Sequence, residues 1–101
     1  MRATIGSVPD CYLLDAHSEG FGAMVPGREP PLLIGQTVTV RVEYAGVVGC
    51  GRATVRNGHH RNGRWRYGFA VQMDDRNLRR ALREIAIRVQ RKRLNRMAQR
   101  T

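Results

Sequence analysis

The segment TVTVRVEY, residues 37–44, alternates apolar and polar side chains without a break. A period of two commits it to a strand with one buried face: Val38, Val40, Val42 and Tyr44 on one side, Thr37, Thr39, Arg41 and Glu43 on the other. WRYGFAVQM, residues 65–73, repeats the pattern, with Trp65, Tyr67, Phe69, Val71 and Met73 sharing a face that carries most of the aromatic mass. GRATVR, residues 51–56, turns Ala53 and Val55 inward and Arg52, Thr54 and Arg56 outward. The connecting NGHHRNG contains two Asn-Gly pairs and reads as a hairpin loop that includes His59 and His60. Shorter strands are expected at residues 11–15 and 21–25, with a weak one near 2–8, and GREPP and Gly35 punctuate the chain ahead of residue 37. Several short strands between turn signals specify a small barrel or sandwich.

The period changes after Asp74 and Asp75, two residues suited to capping a helix and to its positive N-terminal dipole. Leu78, Leu82, Ile85 and Val89 then recur at helical spacing as one apolar stripe. The stripe would continue at Lys92 and Arg96, where it ceases to be apolar, so the last ten or so residues are expected to project into solvent or fray. With 101 residues the chain has room for a single domain, strands over about 1–74 and the helix over about 75–98.

The formal net charge is +10, unevenly spread: residues 76–101 carry +9 and residues 1–75 carry +1. Seventeen of the eighteen cations are arginine, which suits planar, forked contacts with anions but equally follows from genome composition. Cys11 and Cys50 are too few and too far apart for a disulfide framework or a metal site, and are expected as buried free thiols. His59 and His60 are adjacent, a poor arrangement for chelation, and no ligand spacing is completed. No apolar run approaches the length that crosses a bilayer, and MRATIGSVPD lacks a signal-peptide core, so a soluble, cytoplasmic protein is expected. Paired carboxylates, a nucleophile elbow and a phosphate-binding glycine loop are all missing, which argues against an enzyme.

The stretch DAHSEGFGA from Asp15 resembles the Asp/Asn-x-Ser-x-x-Gly signature of the PilZ family, small β-barrels that act as receptors for the bacterial second messenger cyclic di-GMP. Further likenesses occur in order along nearly the whole chain. They are Gly-x-x-Val at Gly35 to Val38, Ala-x-Val-Arg at Ala53 to Arg56, Arg-x-Gly-x-x-Val at Arg66 to Val71, and an Arg-rich C-terminal helix. The resemblance implies a mainly β fold, a small antiparallel PilZ-like barrel followed by one helix, and a non-enzymatic role in signalling. Asp15 and Gly20 occupy the signature's ends, whereas His17 stands at its serine position and Ser18 falls one residue late. The family's upstream Arg-x-x-x-Arg is absent, since Arg2 is followed by Gly6 at the matching spacing.

Cyclic di-GMP is a dianion with two guanine faces, and guanidinium groups suit it because they fork onto phosphate or guanine acceptors and stack on bases. The ligand-binding candidates are therefore Asp15, His17, Ser18 and Gly20, with Arg52, Arg56 and Arg66 as replacement cations from outward strand positions. A plain turn explains DAHSEG as well: Asp15 bonding its own backbone, Ser18 and Gly20 supplying turn geometry. A solvated outer face explains the strand arginines in the same way. No cofactor is expected. The partners in view are cyclic di-GMP, a protein reached through the C-terminal helix, and nucleic acid, the last disfavoured because the aromatic residues lie on the core face.

Overall fold

The alternation at residues 37–44 becomes one wall of a closed barrel. The computed structural model describes the backbone of residues 2–27 and 30–99, and the side chains within those ranges up to Leu94. Its elements are β1 (Arg2–Ile5), β2 (Val8–His17), β3 (Gly20–Pro26), β4 (Thr37–Tyr44), β5 (Val47–Arg61), β6 (Arg64–Val71) and α1 (Arg76–Gln99). Neighbouring strands are antiparallel in the order β1-β2-β3-β6-β5-β4, and β4 closes on β1. The chain is thus mainly β, a six-stranded antiparallel barrel with one C-terminal helix, and the sandwich alternative falls away.

The barrel interior is filled by the inward halves of these strands, among them Ile5, Leu13, Val25, Val40, Val42 and Val55. Phe21 and Phe69 stack across β3 and β6 with ring centres 4.7 Å apart, and Trp65 and Tyr67 extend the aromatic line along β6. The Tyr67 hydroxyl donates to the Leu32 carbonyl at 3.3 Å, which fastens the loop before β4 onto the barrel. Burial pushes the Tyr67 hydroxyl and the Cys11 thiol up from their ordinary pKa values, so both stay neutral inside.

Four expectations need correction. β5 does not stop at Arg56 but runs to Arg61, so the NGHHR stretch is strand, and His59 and His60 pair with Arg66 and Trp65. The tight turn falls on the second Asn-Gly pair alone, where Asn62 and Gly63 have φ of 55° and 75°, the backbone of a type I′ turn. Met73 is 82% exposed because β6 ends at Val71. Cys50 is exposed too, since its position on β5 is an outward one. The Arg-Glu pair in GREPP and the side chains of Arg96 and Arg100 lie outside the described residues.

The helix starts where the cap chemistry places it. Asp75 is the cap: its Oδ1 accepts from the Leu78 backbone N–H at 3.3 Å. Its Oδ2 accepts from the Arg52 N–H at 2.7 Å, and Asn77 Oδ1 accepts from the Cys50 N–H at 3.0 Å. These N–H groups belong to the part of β5 before Ala53, where pairing with β6 has not begun. The first turn of α1 therefore satisfies backbone donors that a missing strand would otherwise take. Gly49 and Gly51 hold the inward positions of this stretch, and a Cβ on either would overlap Ala81 or the Asp75 carboxylate. Leu78, Leu82 and Ile85 are fully buried, each contributing about 1.5–3 kcal/mol, so the stripe docks on the barrel and outweighs the cap.

Among the described residues no helix is long and apolar enough to cross a membrane. Replacing Asp75 by Ala removes a cap and the β5 anchor together, and should cost about 1–3 kcal/mol of stability. Asp75→Asn keeps one acceptor oxygen and should lose less. Urea unfolding with an unchanged denaturant slope would measure both, and an Asp75→Ala variant as stable as wild type would disprove the anchoring role.

Candidate functional site

Two bulges determine which side chains reach the outer surface near Asp15. In β2, Cys11 and Leu13 are buried, and unbroken alternation would send Asp15 inward as well. The register shift between Leu13 and Asp15 inserts Leu14, after which Asp15 and His17 face out and Ala16 faces in. In β5 the shift between Val55 and Asn57 does the same, leaving Arg56 and Asn57 both exposed.

Across the sheet these residues fall into one row. Asp15 pairs with Gly22, Gly22 with Gly68, and Gly68 with Asn57. The two central positions carry no side chain, and the row beside them continues the low floor with Gly20 opposite Ala70. The result is an open groove of about 570 Å³ on the barrel wall, edged by Asp15, His17 and Glu19 on one side and Arg56, Asn57, His59 and Arg66 on the other. That volume lies within the usual range for small-molecule sites.

The glycines are needed for space. Asp15 Oδ1 accepts from the Gly22 N–H at 2.5 Å, and a Cβ on Gly22 would stand 2.8 Å from that oxygen. A Cβ on Gly68 would stand 2.7 Å from Asn57 Oδ1. Asp15 and Asn57 thus lean in over the glycines from opposite sides, a carboxylate acceptor facing an amide. At the far edge stand arginines with no carboxylate partner among the described residues, where one ion pair, Arg41 with Glu43, is formed. Such a surface offers acceptors for N–H donors at one end and cations for an anion at the other, with the Asp15 and Asn57 side chains lying low over the glycines between. Among the described residues no group of three or more His, Cys, Asp or Glu stands together to hold a metal.

Of the residues expected at the site, the fold brings together Asp15, His17, Gly20, Arg56 and Arg66. Ser18 is in the two-residue turn between β2 and β3, where its carbonyl accepts from Arg79 Nε at 3.2 Å. Arg52 lies elsewhere, in a depression with Thr39, Gln72 and Asp75 at the start of α1. The turn explanation also changes: Asp15 bonds across to β3 rather than within its own loop, and Gly20 is a strand residue whose Cβ would overlap the Phe69 carbonyl. Sequence reasoning missed Gly22, Asn57, His59 and Gly68. A signal existed for Gly68, an outward glycine inside a strong strand pattern, which marks a close approach.

If Asn57 and Gly68 share space as the geometry requires, Gly68→Ala should cost about 1–3 kcal/mol and Asn57→Ala should relieve part of it. A double-mutant cycle by thermal unfolding should show coupling above about 0.5 kcal/mol, and strict additivity would refute the contact. Comparison of the chain with models of known protein families, with curated proteins and with solved structures finds no match.

Proposed function

We propose that this protein is a non-enzymatic, PilZ-like receptor in bacterial signalling, and that its groove binds cyclic di-GMP. The observation that carries the proposal is the glycine floor of Gly22 and Gly68 set between the Asp15 carboxylate and the guanidinium groups of Arg56 and Arg66. A guanine edge presents ring N–H and amino donors, which a carboxylate accepts; the phosphates of cyclic di-GMP need cations, which the opposite edge supplies. The two glycines let the Asp15 carboxylate and the Asn57 amide lie low against the wall, where the edge of a planar base can meet them.

The source of the cations sets this site apart from the family pattern. Arg2 lies in β1, paired with Tyr12 and Glu43, and does not line the groove. Arg56 and Arg66 take over the neutralising role from within the barrel wall. His17, in place of the signature's serine, supplies a ring at the groove's edge rather than a hydroxyl.

One observation favours a second reading, an adaptor that contacts protein and no nucleotide. Tyr12, Leu14, Met24 and Pro26, with Asp10 and Arg64 among them, line a further depression of about 440 Å³, mostly apolar, and Tyr12 is 55% exposed. An adaptor would use this face.

Calorimetric titration of the folded protein with cyclic di-GMP, with GMP as control, separates the two. The receptor requires saturable binding near the micromolar range, weakened at least about tenfold in Asp15→Ala and in Arg56→Ala/Arg66→Ala, a loss of about 1.4 kcal/mol or more. Arg52→Ala should bind as wild type does. Absence of heat up to millimolar ligand would exclude the receptor and leave the adaptor.

A further inference from the structure

The β5–β6 hairpin carries a second cationic feature that the groove does not absorb. β4 pairs with β5 only as far as Thr54 and the Gly35–Gln36 backbone bonds Val55, so beyond Val55 the hairpin is flanked by β3 alone, along β6 as far as Arg64. On its outer face Arg61 stands directly opposite Arg64, and His59 opposite Arg66. Residues 44–73 contain Arg52, Arg56, Arg61, Arg64 and Arg66 and not one Asp or Glu. Like charges directly opposite one another destabilise a strand pair. The Arg64 guanidinium donates to Met24 Sδ at 3.6 Å, a weak acceptor that neutralises nothing.

Arg61, Asn62, Arg64, Arg66 and Met24 line an open depression of about 420 Å³. Arg66 also lines the groove, so the two concavities share one residue. Arg64 and Arg66 lie two residues apart on the same face of β6, a step of about 6.8 Å that one nucleotide of an extended strand spans. The Arg61–Arg64 rung is one strand spacing wide, about 4.8 Å, which suits one sugar-phosphate backbone better than a duplex. His59 adds a ring on which a base can stack.

We propose that Arg61, Arg64 and Arg66 form a phosphate-binding track for single-stranded nucleic acid along the outer face of the β5–β6 hairpin. Affinity there comes from phosphate contacts, so binding is tolerant of sequence and falls with salt. The track does not depend on the groove taking a cyclic dinucleotide, because Arg61 and Arg64 lie outside the groove lining.

The test is fluorescence anisotropy of the full chain with a labelled oligouridylate of about 12 nucleotides, between about 50 and 200 mM salt, beside a duplex of equal length. Each phosphate contact contributes about 0.7 to the log–log salt slope of a single strand, so Arg61→Gln/Arg64→Gln should reduce the slope by about 1.4. The same variant should weaken oligonucleotide binding about tenfold at low salt and leave the cyclic di-GMP titration unchanged. Arg64→Glu converts the like-charge rung into an opposite pair; it should raise the melting temperature while abolishing oligonucleotide binding, which separates loss of function from loss of fold. The track is overturned by no oligonucleotide binding at low salt, by a slope unaltered in Arg61→Gln/Arg64→Gln, by preference for the duplex, or by a loss seen instead in the helix variant Arg91→Gln/Lys92→Gln/Arg93→Gln. A normal track with no cyclic di-GMP binding would remove the receptor function alone.

Discussion

The close approach of α1 to β5 is the contact on which the rest of the molecule depends. β5 leaves β4's side of the barrel with its early backbone donors unpaired by β6, and such an edge is unstable unless something covers it. Asp75 and Asn77 cover it, and Gly49 and Gly51 give them and Ala81 the space to do so. Once the helix is seated there, Leu78, Leu82 and Ile85 can only point into the barrel, where they join the strand side chains in one core. Arg79 then falls within reach of two carbonyls, Ser18 at 3.2 Å and Met73 at 3.1 Å, and Arg88 within 3.2 Å of the Ala45 carbonyl. Three connecting segments are thereby held by the helix that the glycines admit.

The groove is the other product of that closed barrel. A barrel wall curves only if its strands tolerate irregularities, and the bulges in β2 and β5 provide them. Each also reverses the inside-outside sense of its strand, so the same two features that bend the sheet bring Asp15 and Asn57 to its outer surface. With Gly22 and Gly68 between them, the sheet acquires a shallow site without any loop having to build one. Because Asp15 Oδ1 holds the Gly22 N–H and Gly68 is paired with strands on both sides, the site is held in shape before a ligand arrives.

Period and turn chemistry made the barrel legible: the strand at 37–44, the one read at 65–73 as far as Val71, the capping residue Asp75 and the stripe from Leu78 follow from alternation and helical spacing. Bulges were not legible, because an inserted residue leaves no mark in composition and alternation merely looks interrupted. That is why His59 and His60 read as loop, and why a turn explained DAHSEG as well as a ligand site did, when most of it is strand. The candidate site was half visible. Asp15, His17, Gly20, Arg56 and Arg66 stood out by type or by motif, while Gly22, Asn57 and Gly68 become meaningful only when strand register places them in one row. Ser18 and Arg52 stood out on the same grounds and are elsewhere, since proximity in sequence does not survive a two-residue turn or a strand crossing the barrel.

Arginine content, the feature that first suggests an anionic partner, divides into groups with different physical roles. Arg79 and Arg88 donate to backbone carbonyls that close turns, so their presence is explained by the fold alone. Arg41 is paired with Glu43 on the surface, where such a pair is worth little. Arg56, Arg61, Arg64 and Arg66 share a carboxylate-free stretch, two of them face each other across a rung, and folding gains nothing from that arrangement. A stable chain has easy alternatives at exposed strand positions, since one Glu opposite Arg64 would turn repulsion into attraction. The cost is small at each position but is repeated in one place, and a concave surface beside it has room for an anion. The physical distinction that matters is therefore which positive charges the fold has given an oxygen acceptor, and among those of the described strand residues that have none, Arg61, Arg64 and Arg66 stand together on one face of the β5–β6 hairpin.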